Sequence, residues 1–291
     1  LAAEAGDSAA AAREYLRFAG DYPQAPEAEA AYTTARGLAR SAGDWELVDQ
    51  AARAELGWRG SSGASTGAGG SGAAVPARLD LVESMIGRGR TTDARTELDR
   101  MFAPGAAPTT ENELSARAHL LRAELALPAY EQLPIAPPVG PAIERKKGAL
   151  TALLADLDPA ARHGEPSDAL TARDLLGRTL AEFGRALVEA ETPTDLEGED
   201  LIAYSQGVAT QADAFNRRAE AAWRDALTQA AATGLAEHPR AAEVRQKLFL
   251  RYDLRYAELT RARLPEPAPV PAPALALHKT GGSATRAAVA D

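Results

Sequence analysis

The chain has 291 residues, 45% of them hydrophobic but only 5% aromatic, a formal charge of −9 and no cysteine. An acidic chain without an Arg/Lys stripe argues against nucleic acid, whose affinity comes largely from phosphate neutralisation, and against anionic membrane surfaces. The absence of cysteine removes disulfides, thiol nucleophiles and Cys-type zinc sites. No run approaches the roughly 18 apolar residues that a membrane span requires.

Residues 11–57 set the pattern for the rest. Tyr15 and Phe18 lie three apart on one helical face, with Ala11 one turn earlier. Asp21-Tyr22-Pro23 ends that helix, because proline disfavours helical geometry in the residue before it. Pro26-Glu27 restarts it, with Glu27 at the positive end of the helix dipole. Ala28, Ala31, Tyr32, Ala35, Leu38 and Ala39 form the next buried stripe. Gly43 is a C-cap candidate and Asp44 the N-cap of a third helix, on which Trp45, Val48, Ala52 and Leu56 share a face. Much of the apolar content is alanine, which predicts thin interfaces between closely packed backbones. The dense Val/Ile content of a parallel sheet is lacking.

This run, with a Tyr near a helix end, Tyr-Pro, Pro-Glu-Ala and Gly-Asp-Trp, resembles tetratricopeptide repeats. It is most similar to the bacterial envelope type, found in outer-membrane assembly lipoproteins and related periplasmic scaffolds. Ala11, Tyr15 and Pro23 match the small, aromatic and proline positions of one repeat, while Phe18 departs from it where a small residue is usual. Glu144-Arg-Lys-Lys147 and the stretch 183–190 before Pro193 resemble the divergent later repeats of large Gram-negative envelope proteins. The resemblance implies stacked antiparallel helical hairpins and a periplasmic or envelope-associated setting, with a cytoplasmic one as the alternative. Because the chain opens on Leu1 inside a helix-like run, a preceding partner is expected to cover that half hairpin. The chain is therefore expected to be a piece of a longer protein.

After the hairpins of 1–59, residues 60–74 are almost all Gly, Ser, Ala and Thr, the composition of a flexible linker. Helical hairpins resume over 75–127. Leu79, Val82 and Ile86 form one stripe, 87–89 a turn, and Ala94, Leu98, Met101 and Phe102 the second stripe. Thr110 and Glu113 have capping-box spacing, ahead of a face of Leu114, Ala118, Leu121 and Leu125. The prolines of 128–141 predict an extended segment with no helix. Long helices follow over 142–263. One carries Leu150, Leu153 and Leu157 and is stopped by the prolines of 159–166. The next is 167–191, followed by one long helix over 201–233 and a last one over 241–263. The Pro/Ala-rich remainder, 264–291, reads as a disordered tail.

Catalytic patterns are weak. Residues 63–67 spell G-x-S-x-G and 67–72 spell G-x-G-x-x-G, but both chemistries need a preceding strand, and here a helix end precedes them. Neither pattern outweighs chance in a Gly/Ser tract. His119, His163, His238 and His278 stand far apart without metal-ligand spacing. His119 is expected to be a surface or half-buried residue, and His238 is placed where it could meet a helix C-terminus. Asp195, Glu197, Glu199 and Asp200 lack the ligand order of a calcium loop and suit the start of the helix at Leu201. No acid, base and nucleophile set is found, so no enzyme, cofactor or metal is expected.

The expected fold is all-α, a tetratricopeptide-like solenoid, and the expected work is binding a peptide or protein subunit in a multiprotein assembly. The alternative is a helical regulatory or accessory domain of a larger enzyme. Trp45 and Trp223 sit on helical stripes and read as core. Trp58 and Arg59, at the mouth of the linker, are candidate partner contacts. Arg251, Tyr252 and Arg255 form a second candidate, a cationic-aromatic face for an acidic partner.

Overall fold

The computed structural model describes residues 7–61, 74–103, 112–193 and 196–263, with side chains described as far as residue 251. Among these residues every regular element is an α-helix, ten in all. They are α1 (Ser8–Asp21), α2 (Ala28–Ser41), α3 (Trp45–Ser61), α4 (Val75–Gly87), α5 (Thr91–Met101), α6 (Glu113–Glu131), α7 (Val139–His163), α8 (Pro166–Glu189), α9 (Gly198–Ala232) and α10 (Pro239–Arg263). One compact unit runs to Leu248 and a second begins at Phe249. The second unit is described over the last part of α10, where Phe249 and Leu250 are exposed.

The tight corners follow from local chemistry. After α2, Gly43 adopts a φ of 67°, the Asp44 N–H returns to the Ala39 carbonyl at 3.1 Å, and the Asp44 carboxylate accepts the Leu47 N–H at 3.0 Å. A left-handed residue thus closes one helix while its neighbour caps the next. The same closure recurs after α4, where Gly89 has a φ of 74° and the Arg90 N–H reaches the Met85 carbonyl at 2.8 Å. The cap of α6 differs from the expected Thr110/Glu113 pair. Asn112 and Ser115 form a reciprocal capping box, with the Ser115 N–H donating to Asn112 Oδ1 at 2.9 Å. A short amide at this position accepts the free first-turn N–H directly. Thr110 lies outside the described residues.

Two proline expectations are corrected. Helix α6 runs through Pro128 to Glu131, and α7 runs from Val139 through Pro159 to His163. Only the core of the 128–141 stretch is non-helical. Tertiary contacts hold the turn after Pro128. Tyr130 is buried and its hydroxyl donates to the Thr179 carbonyl at 2.9 Å, while Lys146 Nζ donates to the carbonyls of Tyr130 and Leu133. The carbonyl that Pro159 cannot serve belongs to Ala155, an exposed residue, where water can take the place of the lost donor. Leu157 and Ala160 on the buried side keep the helix in place.

Each helix from α1 to α8 packs on the next, and the even series also touches itself, α2 on α4, α4 on α6 and α6 on α8. In the odd series, among the described residues, α1 touches α3. The interfaces are thin because alanine makes them. Ala12, Ala28, Ala35, Ala39, Ala51 and Ala52 are fully buried. A larger core of Leu79, Val82, Met85, Leu98 and Leu121 joins α4, α5 and α6. Trp223 is buried and Trp45 half-buried against the core, and each lies against glycine, on Gly177 and Gly87 respectively. On α1 the buried face is Ala11, Ala12 and Ala19, and both Tyr15 and Phe18 are exposed. The aromatic pair expected on the buried stripe thus faces outward, because the slim face of the helix is the one that admits the close approach of α2.

Candidate functional site

The even helices line one groove. From α2 come Thr33, Arg36, Gly37 and Arg40, and from α4 come Pro76, Leu79, Asp80 and Glu83. Both sets have the spacing i, i+3, i+4, i+7, which puts each set on one helical face. Glu113, Leu114 and Arg117 add the first turns of α6, and Glu165 and Asp168 add the start of α8. The space enclosed is about 680 Å³. Gly37 contributes no side chain, and a Cβ there would meet nothing within 4 Å, so the groove is open above α2.

An unbroken relay of ion pairs runs through the groove wall. Arg59 on α3 pairs with Glu29 and with Glu55, each at 2.8 Å. Glu55, fully buried, accepts from Arg36 at 2.6 Å, and Arg36 also pairs with Asp80. Arg40 bridges Asp80 at 3.2 Å and Glu83. Arg117 continues from Glu83 at 2.9 Å to Asp168 at 2.8 Å. Charges alternate from α3 to α8, so each buried group is compensated by its neighbour.

The electrostatics are uneven along this relay. Burial pushes the Asp168 carboxyl above the ordinary carboxylate range, and Glu165 adds to that, against the pull of Arg117. Glu124, close by, is raised for the same first reason, against Arg117 and Arg240. Glu113 and Glu165 are exposed at the α6–α8 end of the groove. Glu113 and Glu165 therefore place two exposed carboxyl groups at that end.

The anticipated contact residues sit elsewhere. Trp58 donates from Nε1 to the Pro23 carbonyl at 2.8 Å, and its ring lies 5.8 Å from that of Tyr32. It pins the end of α3 to the corner between α1 and α2. Arg59 is held by the relay, its side chain only 11% exposed. Both lie inside α3, which extends into the stretch read as linker. Residues 62–73, which carry the two glycine-rich patterns, lie outside the described residues. On α10, Arg251 is half-buried, while the side chains of Tyr252 and Arg255 lie outside those described.

His119 is half-buried and bonds Asp156 at 2.8 Å through Nδ1, beside Arg122, which stacks on Phe102. His238, expected near a helix C-terminus, instead accepts the Arg240 N–H at the start of α10 through Nδ1. A ring nitrogen lone pair there serves a first-turn donor that has no partner within the helix. The 264–291 tail and His278 lie outside the described residues.

Sequence reasoning missed the groove. A signal existed: Arg36 and Arg40 are four apart next to Ala35 and Ala39, and Asp80 and Glu83 are three apart next to Leu79 and Val82. Charge beside an apolar stripe reads as a solvated face until the opposing helix is known. Among the described residues no helix is long and apolar enough to cross a membrane. In comparisons with known proteins, no protein-family model, no curated protein and no solved structure matches this chain.

Proposed function

We propose that the helices of the first unit form a tetratricopeptide-like stack, and that the protein is a non-catalytic scaffold holding a peptide segment of another protein in the groove of its even helices. The observation that carries this reading is the lining itself: α2 and α4 each present one face, and α6 and α8 their N-terminal ends, to the same open space. The contact pattern supports the stacking. Even helices that meet one another, with odd helices behind them, are what a hairpin stack produces along its inner wall. An open groove with polar walls and a few apolar contacts suits an extended chain that lays successive side chains into it. The similarity of residues 11–57 to envelope-type repeats supports a setting in a bacterial envelope assembly.

The test is a peptide-display selection on the purified chain. It is repeated with Thr33→Trp, which fills the groove from α2, and with Thr151→Trp on the exposed side of α7. Peptides enriched by the unaltered chain are expected to bind Thr151→Trp equally and to lose Thr33→Trp. Peptides held alike by all three proteins, or no enrichment at all, would overturn the reading.

A further inference from the structure

The groove's charge says what kind of segment it accepts. Its lining carries three guanidinium groups, on Arg36, Arg40 and Arg117, against five carboxylates. The guanidinium groups are all engaged by carboxylates of the relay. An anionic ligand would have to break those pairs, including contacts to the buried Glu55 and Asp80. The surplus is negative and lies at the α6–α8 end. There Glu113 and Glu165 are exposed, in addition to the three carboxylates that the lining guanidinium groups engage. Next to Glu113 in the lining the groove offers apolar surface at Leu114, 39% exposed, and α4 adds the half-buried Pro76. A carboxylate rim over a short apolar floor matches the two halves of a long basic side chain, whose stem packs on carbon while its head reaches acid.

The geometry points to a basic peptide segment as the occupant, with an Arg or Lys side chain crossing Leu114 and its charged head between Glu113 and Glu165. This deepens the groove-binding reading and rests on it. The chain's net charge of −9 acts in the same direction, by drawing a cationic partner toward it.

Fluorescence anisotropy tests this with three probes: a capped eight-residue peptide alternating Arg and Ala, the same peptide with Glu for Arg, and spermine as competitor. The Arg peptide is expected to bind the unaltered chain, and the Glu peptide is not. The double variant Glu113→Gln/Glu165→Gln is expected to weaken Arg-peptide binding about tenfold, the sum of two exposed charge contacts. Both residues are exposed, so folding is not at stake. A control pair far from the groove lining, Glu14→Gln/Glu144→Gln, removes the same charge and is expected to leave binding within about twofold, since distant exposed charges are screened. Equal loss in both pairs would reduce the effect to bulk charge and overturn the proposal, as would binding of the Glu peptide. Spermine displacing the Arg peptide at equal concentration would show that no peptide backbone is recognised, and would also overturn it. If the display selection yields groove-dependent peptides that are neutral or acidic, this inference fails while the groove-binding reading stands.

Discussion

Arg36 and Glu55 meet between α2 and α3 with 2.6 Å separating Nε from Oε2, and both are almost wholly withdrawn from water. Glu55 also accepts from Arg59, and Arg36 also pairs with Asp80. The pair is therefore the buried hinge of the relay. Removing one partner leaves the other charged and desolvated. Arg36 keeps Asp80 and Arg59 keeps Glu29, so Glu55→Ala is expected to destabilise the protein by about 2–3 kcal/mol, less than the cost of a fully orphaned buried charge. Urea unfolding followed by helical circular dichroism reads it directly. A loss below about 1 kcal/mol would mean that Arg36 finds water when its partner is gone, as exposed ion pairs do.

Gly177 and Trp223 make a second close relationship. A Cβ on Gly177 would stand 2.4 Å from the indole nitrogen, which donates at 3.1 Å to the fully buried Asp174. Gly177→Ala is expected to cost about 1–3 kcal/mol by overpacking and to shift the tryptophan emission, since the ring must leave its place. Gly207, on α9, is the contrast. A Cβ there meets nothing within 4 Å, so Gly207→Ala is expected to stabilise by about 0.5–1 kcal/mol through the backbone alone. Opposite signs from the same substitution separate the packing effect from the helix-propensity effect.

Two carboxyls give opposite pH responses. Burial alone would raise Asp156, but hydrogen bonds from His119 and Arg122 hold it below the ordinary range. A depressed carboxyl contributes stability that is fully present above its unfolded value of about 3.9 and is lost as pH falls through its folded value. Asp156→Asn should therefore be destabilising at neutral pH, with the deficit shrinking in acid. Glu124 is raised, chiefly by burial. A raised carboxyl favours folding while it is protonated, and that advantage is lost as pH rises from the unfolded value through the folded one. Glu124→Gln is expected to match the parent in acid and to exceed it at neutral pH. Unfolding midpoints across this range check both signs, and parallel curves for either variant would contradict the assignment.

Trp58→Ala removes the ring contact with Tyr32 and the hydrogen bond to Pro23. Its expected cost is about 2 kcal/mol, less than for a fully buried ring because Trp58 is half-buried. Arg-peptide affinity should be unchanged, since Trp58 does not line the groove. Full stability with lost peptide binding would reverse the roles assigned to this residue and to the groove.

Helix periodicity, the Gly43 and Asp44 corner and the alanine stripes were legible in order, because each depends on residues within a turn or two of one another. Of the stripe on α2, Ala28, Ala31, Tyr32, Ala35 and Ala39 are buried as their spacing predicts, and Leu38 is partly buried. Local signals failed where distant contacts outweighed them. Pro128 and Pro159 should have stopped their helices, yet Tyr130 and Lys146 hold the turn after Pro128 by contacts across helices, and Leu157 and Ala160 hold the helix around Pro159 on its buried face. Tyr15 and Phe18 were assigned inward by spacing, but α2 approaches the alanine side.

The sequence by itself determined an all-helical chain, where most of its corners fall, and that alanine would bring its helices close together. Tertiary structure alone decided which charges meet. Arg36 and Asp80 are 44 residues apart, and Arg117 and Asp168 are 51 apart. A guanidinium four residues from another reads the same whether it faces water or a carboxylate on the next hairpin. Only the placement of the opposing helix makes it part of a buried relay, because the energy of a charge is set by what surrounds it rather than by its neighbours in sequence.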